Sequence, residues 1–99
     1  MTTAEYRESI RIPASHPALP GHFPGHPVVP GVVLLDRVAA ALARWRGARV
    51  AALPQVKFSR PLLPGEKAEL VLSDAGTSVR FTIVHAGVTI ASGSIEAAA

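Results

Sequence analysis

"GHFPGHPVVPGVVLLDRVAAALARW", residues 21–45, changes character at Gly31. Before that point Pro24, Pro27 and Pro30 alternate with Gly21, Gly25 and two histidines. Each proline fixes φ and removes a backbone donor, so this part reads as a stiff, irregular loop. After it, Val32 to Trp45 contains neither glycine nor proline and is apolar except at Asp36, Arg37 and Arg44. That run is long enough for about four helical turns. A helix apolar almost all round is enclosed by its protein rather than laid on the surface. The expectation is one central helix, with Asp36 buried in it and the remaining chain folded around it.

The flanking sequence supplies the wrapping. Ser9 to Ile12 reads as a short strand stopped by Pro13, and residues 13–31 hold six of the nine prolines. An ordered loop of that length is usually functional. Beyond Gly47 the apolar period drops to two. Val56 and Phe58 flank Lys57 within Val50 to Ser59, and Pro61 to Gly65 makes a turn. Ala68, Leu70 and Leu72 alternate, "SDAGT" (73–77) turns, and Val79, Phe81 and Ile83 alternate next. Ala86-Gly87 then leads into a last strand, Val88 to Glu96, before a frayed alanine tail. Strands of this kind with tight turns between them pair antiparallel. The fold class is therefore α+β, a curved antiparallel sheet around one long helix, in a single domain spanning 1–99.

Composition narrows the classes of function. Hydrophobic residues make up 48% of the chain, ample for a core. No apolar run reaches the ~20 residues of a membrane-spanning helix, so no membrane role is expected. Met1 to Arg11 lacks the apolar core of a signal peptide, and no cysteine is present for a disulfide framework. A cytoplasmic protein is the simplest reading. The net charge is +3, with Arg37, Arg44, Arg46 and Arg49 in and just after the helix, followed by Lys57 and Arg60. These cations form either a solvated helix end or a landing patch for an acidic partner. Nucleic acid is disfavoured, because the scattered aromatics build no stacking platform.

The chemistry concentrates before and inside the helix. Asp36 interrupts an apolar run and has two open readings. It is either a structural acid paired with a cation or amide, or an acid facing an apolar pocket, where desolvation would raise its pKa. His22 lies between Pro20 and Pro24, which would hold its imidazole in one place. Gly31, at the helix start, offers an amide with no partner inside the helix and no Cβ to bar close approach. Base, acid and oxyanion donor together suit proton abstraction beside a carbonyl. His16, His22, His26 and Asp36 match no common zinc spacing, so no metal is expected. His85, on an apolar strand, reads as structural. No Gly-Lys-Ser/Thr phosphate loop and no nucleophilic Ser or Cys constellation is present.

Residues 21–36, "GHFPGHPVVPGVVLLD", closely resemble the active-site signature of the 3-hydroxyacyl-[acyl carrier protein] dehydratases of the hotdog fold. That pattern reads Gly-His-Phe-Pro-x-x-Pro-x-x-Pro-Gly, then four residues, then Glu or Asp. Gly21, His22, Phe23, Pro24, Pro27, Pro30, Gly31 and Asp36 fall in place. "VKFSRPLLPGEKAEL" (56–70) resembles the strand and turn that follow in the family.

The resemblance implies a base at His22 for the C2 proton and an acid at Asp36 for the departing 3-hydroxyl. It implies a Gly31 amide on the thioester oxygen, with Phe23, Pro24 and Pro30 in the substrate loop. It also implies an acyl carrier protein as partner and no cofactor, and the excess of Lys and Arg puts the docking of that acidic partner near Arg37, Arg44, Lys57 or Arg60. Histidine and acid come from different subunits in the family, so a homodimer or higher hotdog oligomer is expected, or a heterodimer with a second hotdog subunit. Three departures stand out: Asp where the commoner branch has Glu, Ala40 where the family has glutamine, and a shorter chain. They resemble accessory dehydratases of polyketide-like or aryl-polyene pathways. The expected activity is dehydration of 3-hydroxyacyl thioesters. A hotdog thioesterase and a non-catalytic carrier-binding or dimerising subunit are the alternatives.

Overall fold

A computed structural model describes residues 5–16 and 28–98. Its elements in chain order are β1 (Glu5–Arg11), α1 (Gly31–Arg46), β2 (Arg49–Phe58), β3 (Lys67–Ala75), β4 (Ser78–His85) and β5 (Val88–Ala98). The strands make one five-stranded sheet in the order β1-β3-β4-β5-β2, with every neighbouring pair antiparallel.

The middle of the sheet is a meander closed by two tight turns. Gly76 (φ 71°) turns β3 into β4, and Ala86 (φ 51°) with Gly87 (φ 79°) turns β4 into β5. Two consecutive positive φ values match the twist of the flanking strands, the usual geometry of a two-residue hairpin. The first turn is tighter than the five residues "SDAGT" suggest, because Ser73, Asp74 and Ala75 still pair with β4. β1 also begins earlier than its apolar residues show, at Glu5.

β1 and β2 occupy opposite edges of the sheet, and α1 lies between them in sequence. The chain must cross the sheet to join them, which lays the helix over one face. On that face Leu70, Leu72, Phe81, Ile83, Ala91 and Ile95 are fully buried. They meet Val33, Leu34, Val38, Ala41 and Leu42 from the helix. Pro30 sits at the N-cap in extended conformation, and Gly47 ends the helix in the left-handed region (φ 64°), donating its amide to the Ala43 carbonyl at 2.8 Å. Arg44 and Arg46 lie in the last turn, where cations suit the helix dipole.

The expectation of a fully enclosed helix needs correction. Among the described residues only one side of α1 is covered. Val32 is 63% exposed, and Asp36 and Ala43 are exposed with it. At 100° per residue, Val32, Asp36, Ala39 and Ala43 fall on one stripe opposite the core stripe. One five-stranded sheet covers one face of a helix, and no other described element lies over the apolar sequence of the other face.

Candidate active site

The helix start is tied to the loop after β2. The Val29 amide donates to the Leu62 carbonyl at 2.8 Å, and the Ser59 amide donates to the Ile90 carbonyl at 2.8 Å. The Gly65 amide reaches the Ile12 carbonyl at the end of β1, also at 2.8 Å. Between the helix start and this loop lies an open cleft of about 430 Å³. Val29, Pro30, Gly31, Leu34, Phe58 and Leu62 give it apolar walls, and Arg60 stands among the lining residues as its cation.

Gly31 is the first helical residue. The Pro30 carbonyl accepts from the Val33 and Leu34 amides, so the Gly31 amide has no acceptor among the described residues. An unpaired amide at the positive end of a helix dipole is suited to an oxyanion. The edge of the Phe58 ring lies against the Gly31 backbone, and a Cβ there would sit 2.6 Å from Phe58 Cζ. Sequence reasoning treated Phe58 only as a strand residue. Its role as a wall of this cleft depends on a contact spanning 27 positions, which local pattern cannot reveal.

Asp36 does not line the cleft. It stands on the exposed helix stripe, five residues beyond Gly31 and turned about 140° from it around the helix axis. The described part of one chain therefore does not bring Gly31 and Asp36 together. His22, Phe23 and Pro24 lie outside the described residues, as does His26. Among the described residues, no group of three or more His, Asp or Glu is placed to hold a metal ion.

The four cations expected to form one docking patch are dispersed. Arg44 Nη2 reaches Glu8 Oε2 at 2.5 Å, and its Nε reaches Glu8 Oε1 at 3.1 Å. The Tyr6 hydroxyl donates to the same carboxylate at 2.7 Å. Partial burial pushes the Glu8 carboxyl up. Hydrogen bonds from Arg44 and Tyr6, with the charges of Arg44 and Arg37, outweigh this and hold it below its ordinary value. Arg37 and Arg44 thus share Glu8, while Lys57 projects from the other face of the sheet. Arg60, at the cleft, pairs with no carboxylate among the described residues. His85 is a brace: Nδ1 donates to the Lys67 carbonyl at 2.7 Å, and Nε2 lies 3.2 Å from Glu66. Glu66 in turn accepts from the Leu63 amide and fixes the turn.

Comparison with known proteins bears on the family and the fold. Residues 2–94 match the ApeI-like family, described as ApeI dehydratase. The 3-hydroxyacyl-[acyl-carrier-protein] dehydratase FabZ of Haemophilus influenzae is 34% identical over 77 residues, 67% of this chain and 52% of that protein. The FabZ of Thermus thermophilus is 40% identical over 62 residues, 52% of this chain and 44% of its own length. The chain spans about half the length of these curated relatives. Among solved structures, a chain of the dehydratase heterocomplex ApeI:P from Xenorhabdus doucetiae superposes with a TM-score of 0.81 at 24% identity, covering 100% of both chains. An uncharacterised protein from Erwinia carotovora gives 0.80 at 28% identity, covering 97% of this chain and 84% of that one. The sheet and helix are those of the hotdog fold, and the chain belongs to the ApeI-like dehydratase family.

Proposed function

We propose that this chain dehydrates 3-hydroxyacyl thioesters, delivered by an acyl carrier protein in the cytoplasm, to trans-2-enoyl thioesters. The observation that carries the reading is the Gly31 amide, which has no acceptor among the described residues, at the wall of an apolar cleft. Such a site accepts an acyl chain and offers a donor to the carbonyl oxygen of its thioester. His22 takes the C2 proton. Its electron pair forms the C2–C3 double bond, and the C3–O bond breaks as Asp36 protonates the leaving hydroxyl to water. The Gly31 amide meanwhile holds the negative charge on the thioester oxygen.

Asp36 reaches this site from a second subunit. Its separation from the cleft within one chain, together with the uncovered apolar stripe of α1, supports a dimer with shared sites. The second subunit is another copy or a related hotdog chain. The solved relative from Xenorhabdus is part of a dehydratase heterocomplex, which favours the second arrangement. Of the candidate docking cations, Arg60 is best placed to meet an acidic carrier at the cleft, because Arg44 is already engaged by Glu8.

Incubation of the protein with a carrier-bound 3-hydroxyacyl thioester, followed by mass analysis, tests the reading. Loss of one water with the thioester intact is the expected result. Release of free acid would identify a thioesterase. An unchanged substrate, with activity appearing only on addition of a second hotdog subunit, would identify an accessory chain.

A further inference from the structure

The outer face of the sheet, turned away from the helix, carries a second and polar hollow. Strand alternation defines which residues reach it. Phe81 is buried on the inner face, and its partner Gly93 lies on the same side, where a Cβ would sit 2.6 Å from the Phe81 ring. Val56 pairs with Gly93 and also packs on the core. The neighbours one residue away therefore point outward: Arg80 on β4, Ser92 and Ser94 on β5, Gln55 and Lys57 on β2. These side chains and Gly93 line a hollow of about 160 Å³.

The register places the parts. Lys57 is directly opposite Ser92, and Arg80 is directly opposite Ser94. Lys57 and Arg80 thus stand on the two strands flanking β5, about 10 Å apart at two strand spacings and offset along the strand. Between them the floor is low, because Ser92 and Ser94 carry short side chains and Gly93 carries none. Two long cationic arms over a small hydroxyl-bearing floor can converge on one object above it. Every group around the hollow can donate: an ammonium, a guanidinium, two hydroxyls and a side-chain amide.

Neither cation has a partner within the described chain. On the same face Arg7 is taken up by Glu5 at 2.9 Å and Glu69 at 2.7 Å. Glu96, two residues beyond Ser94 on β5, makes no ion pair with Arg80 or Lys57. Two like charges beside one hollow repel unless an anion lies between them. No aromatic side chain borders the hollow, so it offers no platform for stacked bases.

We propose that Lys57, Arg80, Ser92 and Ser94 form a binding site for a phosphate group, on the opposite face of the sheet from the Gly31 cleft. The occupant is inorganic phosphate or the terminal phosphate of a small phosphomonoester. Bidentate approach by the Arg80 guanidinium and a point charge from Lys57 recognise the dianion, and the serine hydroxyls complete its shell. The site stands whether or not the dehydratase reading holds, since it shares no residue with the cleft.

The test is a titration of the uniformly 15N-labelled full chain with inorganic phosphate at constant ionic strength, followed by amide shifts. Saturable shifts centred on Lys57, Arg80 and Ser92 to Ser94 are expected. Lys57→Gln and Arg80→Gln should each weaken the apparent Kd by roughly tenfold or more, the range for losing a charge-assisted hydrogen bond. Arg11→Gln, which removes a cation from the same face at the far edge, should leave it unchanged. Glycerol 3-phosphate distinguishes the source: tighter binding than phosphate at the same amides assigns a phosphomonoester, and equal or weaker binding assigns the free ion. Shifts that do not saturate, that spread over the surface, or that persist equally in both folded variants overturn the site.

Discussion

The ring of Phe58 occupies the space that a side chain at position 31 would need, with its Cζ 2.6 Å from an ideal Cβ on Gly31. The obstacle is the end of a half-exposed side chain, not backbone, so the ring can swing aside at little cost to folding. Gly31→Ala should therefore change stability by less than about 1 kcal/mol, with the helix-start alanine offsetting part of the strain. The displaced ring would close into the cleft, so thioester turnover should fall by roughly tenfold or more. Phe58→Leu in the same background should restore part of it. Thermal unfolding and turnover measured on both variants check this, and full activity in Gly31→Ala would remove the close approach from the mechanism.

Gly93 makes the contrasting case. A Cβ there would lie 2.2 Å from the Gln55 carbonyl oxygen and 2.6 Å from the buried Phe81 ring. Neither neighbour can move without breaking the β2–β5 pairing or the core. Gly93→Ala should cost about 3 kcal/mol, at the upper end for an overpacked interior. Urea unfolding provides the measurement, and a cost under about 1 kcal/mol would show that the edge strand shifts freely.

How far the sequence disclosed the fold depended on where each residue's partner lies. β3, β4 and β5 were legible because Leu70, Leu72, Phe81 and Ile83 alternate with outward residues over one core. β1 was read too short because Glu8 faces inward, and its partner Arg44 lies 36 residues away. β2, at the sheet edge, has exposed residues on both faces and a broken register between Val50 and Gln55, so its alternation is weak. The helix itself was clear, but its apolar circumference was assigned to one chain's core. Its Val32–Asp36–Ala43 side is left uncovered by the described residues. Lys57 was grouped with Arg37 and Arg44 by proximity in sequence, although strand alternation sends it to the other face.

Glu8 also predicts a dependence on pH. Its folded-state carboxyl lies below the ordinary value of 4.5, despite partial burial, because Arg44 and Tyr6 stabilise the charged form. A lowered carboxyl contributes stability that is fully present above the ordinary value and lost as pH falls through the folded value. Glu8→Gln should thus lower stability by about 1 kcal/mol at pH 7. The difference from the parent chain should vanish on acidification below the folded value. Unfolding midpoints across the acid range decide it, and a constant difference would assign the loss to packing.

If Asp36 serves the cleft of a second subunit, two inactive variants should complement each other. His22→Ala retains Asp36, and Asp36→Ala retains His22. After random subunit exchange, half of all dimers are mixed and each holds one intact site of two. Activity should recover to about a quarter of the parent value in a symmetric dimer. Exchange confirmed by mass spectrometry with no recovered turnover would argue against sites shared between copies of this chain. It would also favour a distinct second subunit as the source of one residue.

The two readings of Asp36 now separate on stability. A structural acid would be buried beside a cation, and breaking such a pair costs about 3–5 kcal/mol. In the single chain Asp36 is exposed, and no described group bonds to it. Its neighbours on the stripe, Val32, Ala39 and Ala43, are apolar, so among the described residues the carboxylate serves no pairing. Asp36→Asn keeps the shape and removes only the proton-transfer function. Stability should stay unchanged or rise slightly, because an acid kept for catalysis faces a pocket rather than a partner. Dehydration should fall by about 100-fold, within the range for losing a general acid. His22→Ala should lower turnover on the same scale. Thermal unfolding and enoyl-thioester formation are measured together on each variant. Normal turnover per folded molecule in Asp36→Asn would discard the acid and, with it, the proposed chemistry.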